Sequence, residues 1–205
     1  MATTTKHTKG VVDLTFMDIK TEGDMTESLR QALSAMHAPK SPGGSDTMAM
    51  TGTGSPTAST RKMKQEEVTA VRLSNNLLEH MDAVSSPMAA LLDTSKILWL
   101  DLSFNKLSSI SESFPQFFPH VKTIYCHANS ITRLSEIKKF ALFTNLKSLS
   151  LYGNPVDSHK HYRNYVLYMC PGLTQFDSSP VTPTERKRME VWATTFRRKL
   201  RPEEE

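Results

Sequence analysis

The sequence predicts an α/β repeat solenoid: short parallel strands stacked into one concave sheet, a helical or irregular convex side, and a C-terminal cap helix. Three observations predict it. The pattern L-x-x-L-x-L-x-x-N-x-L occurs four times in phase. Its copies start at Val68, Ile97, Val121 and Leu146, with a partial fifth at Leu173, so the steps are 29, 24, 25 and 27 residues. Each of the four full copies carries an Asn at the same place, Asn76, Asn105, Asn129 and Asn154. A period of roughly 20–29 residues suits one strand and one return segment per repeat.

Each part of the pattern has a physical reason. In a strand alternate side chains face opposite sides, so the fourth and sixth positions point into the core and the residues between them point out. The inward pairs are Val71 and Leu73, Leu100 and Leu102, Ile124 and Cys126, and Leu149 and Leu151. No single repeat can bury this face alone, which forces stacking. The Asn follows the strand, where the chain turns sharply. Its amide can satisfy backbone groups that the turn leaves unpaired, at a saving of roughly 1–3 kcal/mol per group. These asparagines are therefore expected to be structural.

Taken along the chain, residues 1–64 hold little that could form a core. Ala38 to Thr60 is Ser-, Thr-, Gly-, Pro- and Met-rich, including Ser41-Pro42-Gly43-Gly44 and Gly54-Ser55-Pro56, and reads as a disordered linker. Val11-Val12-Asp13-Leu14-Thr15-Phe16-Met17 stands out as an apolar patch. It is either a weak cluster in a loose tail or a docking motif that packs on the folded domain or a partner. Residues 65–182 make the solenoid and its cap. Between strands, Met88 to Leu92 and Ser135 to Leu142 supply convex-side apolar patches, the second with Ile137, Phe140 and Ala141 at i, i+3, i+4. Tyr162 to Leu167 reads as a cap helix, followed by Pro171-Gly172-Leu173 and Phe176-Asp177. Residues 183–205 form a basic C-terminal helix with an acidic end.

Composition narrows the function. Of the 205 residues, 38% are hydrophobic, and 25 Lys and Arg against 21 Asp and Glu leave a net charge of +4. A surplus that small is no nucleic-acid signature unless concentrated. Two cysteines, Cys126 and Cys170, exclude a disulfide framework and fit a reducing compartment. The longest apolar run, Tyr165 to Cys170, falls far short of the roughly 20 residues that span a bilayer. The expected location is the cytoplasm.

No catalytic constellation emerges, and no cofactor or metal is expected. The glycines at 43, 44, 52 and 54 precede no strand-to-helix pattern. His159 and His161 are two residues apart, a spacing that does not align both rings on one helical face. Cys126 is expected to fill a Leu position in the core, and Cys170 to pack under the cap.

Two surfaces are candidates for binding. From Thr184 to Arg201 seven bases face two acids, a local surplus of five. This segment is either a solvated helix covering the solenoid end or a contact for an acidic surface, with Arg197, Arg198 and Lys199 as its densest bases. The second surface is the concave sheet, whose outward rows run Ala70, Trp99, Thr123, Ser148, Gln175; then Arg72, Asp101, Tyr125, Ser150, Asp177; then Ser74, Ser103, His127, Tyr152. Trp99, Tyr125, His127 and Tyr152 have the composition of an interface hot spot. Arg72 and Asp101 are expected to fix polarity at the rim for a partner helix lying across the strands.

Leu100 to Leu107 and Tyr152-Gly153-Asn154-Pro155-Val156 resemble the short leucine-rich-repeat proteins related to outer-arm dynein light chain one. Tyr162-Arg163, Val166, Pro171, Leu173, Phe176-Asp177 and Val181-Thr182 resemble their shared terminal cap. The resemblance covers Val68 to Trp192 and extends to Asp13-Leu14-Thr15-Phe16. Cys126 in place of the usual Leu and the long first repeat depart from the pattern. What the resemblance implies is a non-enzymatic ciliary or flagellar component, placed in the axoneme, whose partners are other proteins such as a microtubule doublet or an associated complex. A regulatory subunit of a dynein motor or phosphatase, or an RNA-particle scaffold, are the alternatives. Neither membrane nor small-molecule substrate is expected, and nucleic acid is disfavoured.

Overall fold

A computed structural model describes residues 10–37 and 68–196. The expected linker from Ala38 to Thr60 lies outside these residues. In chain order the elements are β1 (Val11–Asp13), α1 (Glu22–His37), β2 (Ala70–Arg72), α2 (Asp82–Leu91), β3 (Trp99–Asp101), α3 (Phe114–Phe117), β4 (Thr123–Tyr125), α4 (Leu134–Phe140), β5 (Ser148–Ser150), α5 (Tyr162–Met169), β6 (Gln175–Phe176), β7 (Ser179–Pro180) and α6 (Pro183–Phe196). Among the described residues the strands form one sheet in sequence order, parallel from β1 to β6, with β7 antiparallel at the end. The register is that of the repeats: Val12, Val71, Leu100, Ile124, Leu149 and Phe176 are successive partners. All six are buried at the core side of the sheet.

The asparagines form a ladder. Asn105 donates to the carbonyls of Leu73 (2.9 Å) and Leu102 (3.1 Å), while its Oδ1 accepts from the Leu78 amide (3.1 Å). Asn129 repeats this with Leu102, Cys126 and Leu107 at 3.0 Å each. Asn154 bonds Cys126 (2.9 Å), Leu151 (2.7 Å) and Ile131 (3.0 Å). Each amide thus bonds its own turn and the turn before, which is the structural role expected of these residues.

The largest difference from the sequence reading lies at the amino terminus. Residues 10–37 are not a loose tail. They form a further repeat at the front of the solenoid, with β1 paired to β2 and α1 packed on α2. Val12, Leu14, Ile19, Met25 and Leu29 are buried. The repeat escaped the pattern because Met17 stands where the other copies have Asn. The ladder explains why: each Asn serves the preceding turn, and among the described residues no turn precedes the first. Asn76 serves that first turn as the other rungs serve theirs, accepting from the Met17 and Ile19 amides (3.0 Å each) and donating to the Leu14 carbonyl (2.8 Å). The helix signal was present in Met25, Leu29, Leu33 and Met36, whose spacing keeps one face apolar. Thr21 and Asp24 close its first turn as reciprocal caps, at 3.2 and 2.9 Å.

Smaller differences follow local geometry. In α4, Ile137 and Phe140 are buried as expected, but Ala141 follows the last helical residue and is exposed. Both cysteines are buried. Burial pushes the Cys126 thiol far above its ordinary value, and that of Cys170 up to about 12 despite the nearby Arg186.

The far end of the solenoid is sealed by a carboxylate. β6 ends at Phe176, and Asp177 turns into the left-handed region at φ 45°. It therefore does not continue the second outward row, contrary to the sequence expectation. Its Oδ1 accepts the Leu151 (2.6 Å) and Tyr152 (3.1 Å) amides, and its Oδ2 accepts the Tyr162 hydroxyl (2.7 Å). One side chain thus replaces the carbonyls a next strand would have offered. Over this layer α6 packs on α5, with Trp192 stacked on Phe196 at 4.2 Å.

Candidate partner-binding face

Strand register places the candidate residues on neighbouring strands, so they meet as a continuous file on the concave side. Trp99 meets Tyr125 edge to face, with ring centroids 5.6 Å apart and planes at 88°. Tyr125 lies 6.1 Å from His127, and His127 stacks on Tyr152 at 4.6 Å with planes 9° apart. Such contacts favour fixed ring positions. Trp99, Tyr125 and His127 are half-buried and Tyr152 is 45% exposed. The file is therefore a rigid apolar strip that solvent reaches. Its floor is polar: His127 Nδ1 lies 3.2 Å from Ser150 Oγ. Burial lowers the His127 pKa, and Asp101 and Asp177 pull it partly back.

The charged residues are arranged differently from the expectation. Asp101 is nearly buried, its Oδ1 accepting the Ser103 amide (3.1 Å) and hydroxyl, so it does not present polarity at the rim. The Arg72 guanidinium sits 3.9 Å from Asp101 but 3.0 Å from Asp13 on β1. Held there, it lies over the Trp99 ring, 5.5 Å from the centroid, a cation–π geometry. Asp13 was invisible as a site residue because β1 was not legible as a strand. Asp13 and Thr15 repeat on β1 the turn that Asp101 and Ser103 make on β3.

Sequence reasoning also missed Phe104, and had Phe16 only as part of the apolar patch at 11–17. Each sits one residue before the ladder position and projects outward, 70% and 52% exposed respectively. Phe104 meets His127 edge to face at 5.3 Å, extending the aromatic file to the rim. The signal was their common place in the pattern, in slots where an apolar side chain has no core to enter.

The basic tail divides in two. Arg197, Arg198 and Lys199 lie outside the described residues. Arg186, one of its bases, is structural, donating to the carbonyls of Leu167 (2.8 Å) and Leu173 (2.5 Å). Glu185 pairs with Arg163 through two bonds of 2.6 and 3.1 Å. These contacts hold α6 on the cap. Among the described residues no three His, Cys, Asp or Glu side chains are grouped to hold a metal, and no helix is long and apolar enough to cross a membrane.

A family model described as leucine-rich repeat matches residues 53–201. Leucine-rich repeat-containing protein 51 of Bos taurus is 42% identical over 121 residues, covering 58% of this chain and 62% of that protein. The Homo sapiens protein of the same name is 41% identical over the same shares. The match thus spans somewhat under two thirds of those relatives. U2 small nuclear ribonucleoprotein A' of Neurospora crassa is 30% identical over 93 residues, covering 45% of this chain and 37% of that protein. Among solved structures, the Drosophila melanogaster SNF/U2A' complex aligns with a TM-score of 0.51 and 25% identity, over 60% of this chain and 67% of that one. With the ladder, the register and these matches together, the chain belongs to the leucine-rich-repeat family.

Proposed function

We propose that this leucine-rich-repeat interaction module holds a partner protein on its concave face, as a non-catalytic structural or adaptor part of the ciliary or flagellar axoneme. The observation that carries the partner site is the file Trp99, Tyr125, His127, Tyr152, four rings in edge-to-face, tilted and stacked contact that solvent reaches. Pre-ordered aromatic surface loses little conformational entropy on binding, which is why such residues dominate interface energetics. Arg72 over Trp99 adds a charge beside the strip. The axonemal setting rests on the resemblance of the repeats and cap to relatives of outer-arm dynein light chain one.

The test is a double substitution, Trp99→Ala with Tyr125→Ala, in the full-length chain. Its circular dichroism and melting temperature stay close to native, and its incorporation into axonemes of ciliated cells is lost. Normal incorporation of the folded variant would refute the concave site. A second reading, an RNA-particle scaffold, draws support from the likeness to the SNF/U2A' complex. Location separates the two: axonemal retention after a salt wash supports the first reading, and nuclear staining the second.

A further inference from the structure

Five successive turns hold the residue before the ladder position in the left-handed region: Phe16 at φ 60°, Asn75 at 58°, Phe104 at 53°, Ala128 at 53° and Gly153 at 71°. The turn itself demands this conformation, which Gly adopts freely and Asn tolerates. Asn75 and Gly153 therefore suit it. At Gly153 even a Cβ would come within 3.3 Å of the Ala128 backbone nitrogen. A phenylalanine is among the least suited residues, and neither Phe16 nor Phe104 recovers the strain by burial, at 70% and 52% exposed. The fold by itself would be better served by Asn or Gly at both places. Strained, exposed rings of this kind are held for something other than stability.

Their spacing suggests for what. Phe16 and Phe104 fill this slot in the first and third turns of the sheet; in the fifth the slot is Gly153 and the exposed ring is Tyr152, one residue earlier, so the three rings lie two strands apart each time. At about 4.8 Å per strand that is about 10 Å between anchors. Seven residues of an α-helix rise about 10.5 Å. A helix crossing the strands would therefore meet the three rings with side chains at i, i+7 and i+14. Met17, 44% exposed, widens the first anchor, and His127 bridges Phe104 to Tyr152.

The charge beside the rim favours one sign. Asp18 and Asp157 are exposed and Asp177 is half-buried, against the exposed base Lys106. Asp13 and Arg72 neutralise one another, as do Lys20 and Glu79 at 3.8 Å.

We propose that Phe16, Phe104 and Tyr152 form a contact ridge for an amphipathic helix of another protein, whose apolar stripe is flanked by lysines or arginines. This rests on the concave face being the partner side and specifies the partner's chemistry. The test uses the full-length chain and two 18-residue helical peptides with the same leucine stripe, one flanked by lysines and one by glutamates, followed by calorimetry and amide chemical shifts. The expected result is saturable binding of the lysine peptide with shifts at Phe16, Phe104 and Tyr152, and binding of the glutamate peptide at least about tenfold weaker. The double variant Phe16→Asn, Phe104→Asn is expected to melt at or above the native temperature and to bind the lysine peptide at least about tenfold more weakly. Equal binding of the two peptides, native binding by the double variant, or a melting temperature well below native would each overturn the proposal. If the rim variant binds normally while Trp99→Ala with Tyr125→Ala loses axonemal incorporation, the ridge fails and the concave reading stands; if neither substitution has an effect, both fail.

Discussion

The asparagine ladder makes a prediction that depends on where in the ladder a rung is removed. In Asn105→Ala four partners lose a bond, but three keep another; the Ser103 carbonyl still accepts from the Asn75 amide (3.1 Å). The Leu73 carbonyl still accepts from Asn76 (3.0 Å), and the Leu102 carbonyl from Asn129 (3.0 Å). Only the Leu78 amide is orphaned in a buried setting. In Asn154→Ala the Cys126 carbonyl keeps Asn129 (3.0 Å), but the Leu151 carbonyl loses its side-chain donor with no later rung to replace it. That variant orphans the Leu151 carbonyl together with the Ile131 amide. An orphaned buried group costs about 1–3 kcal/mol, whereas a carbonyl that keeps another donor stays satisfied. With one orphan, Asn105→Ala is therefore expected to cost about 2 kcal/mol, and with two, Asn154→Ala about 2 kcal/mol more. For a chain of this size 1 kcal/mol moves the melting temperature by about 2–4 °C. The two variants should thus melt about 4–8 °C apart, Asn154→Ala lower. Urea unfolding followed by circular dichroism gives the difference directly, provided the slopes match. If Asn154→Ala is no worse than Asn105→Ala, shared rungs do not buffer each other and the reasoning fails.

The cap and the concave histidine yield further predictions. Asp177→Ala removes the acceptor of the Leu151 and Tyr152 amides and of the Tyr162 hydroxyl. It is expected to lower stability by about 2–4 kcal/mol, read as a lower thermal midpoint, whereas an unchanged midpoint would show that water serves these groups equally well. Burial lowers the His127 pKa, so the fold favours the neutral ring. That stabilisation is present above the unfolded value of about 6.5 and is lost as pH falls through the folded one. The ring-proton resonance of His127 should titrate below 6.5, and His127→Gln should flatten the fall in stability below about pH 6.5. A midpoint at or above 6.5 would contradict the assignment.

What the sequence by itself determined is periodic. The repeat phase, the inward pairs, the structural asparagines and the neighbouring placement of His127 and Tyr152 all follow from a pattern in which every copy constrains the next. Register then needs no long-range information, because adjacent repeats bring equivalent positions side by side. The ends are another matter. Among the described residues the first repeat has no preceding turn to satisfy, so Met17 could replace Asn and hide β1 and α1 from the pattern. A last repeat has no following strand, so Asp177 left the outward row to serve amides that would otherwise be unpaired. The closer pairing of Arg72 with Asp13, beside its longer one with Asp101, depends on a strand brought in from 59 residues away. Phe16 and Phe104 were legible only as residues between core positions. Their strain and exposure come from the left-handed turn that the stacked ladder imposes, and that turn exists only once the repeats are folded together.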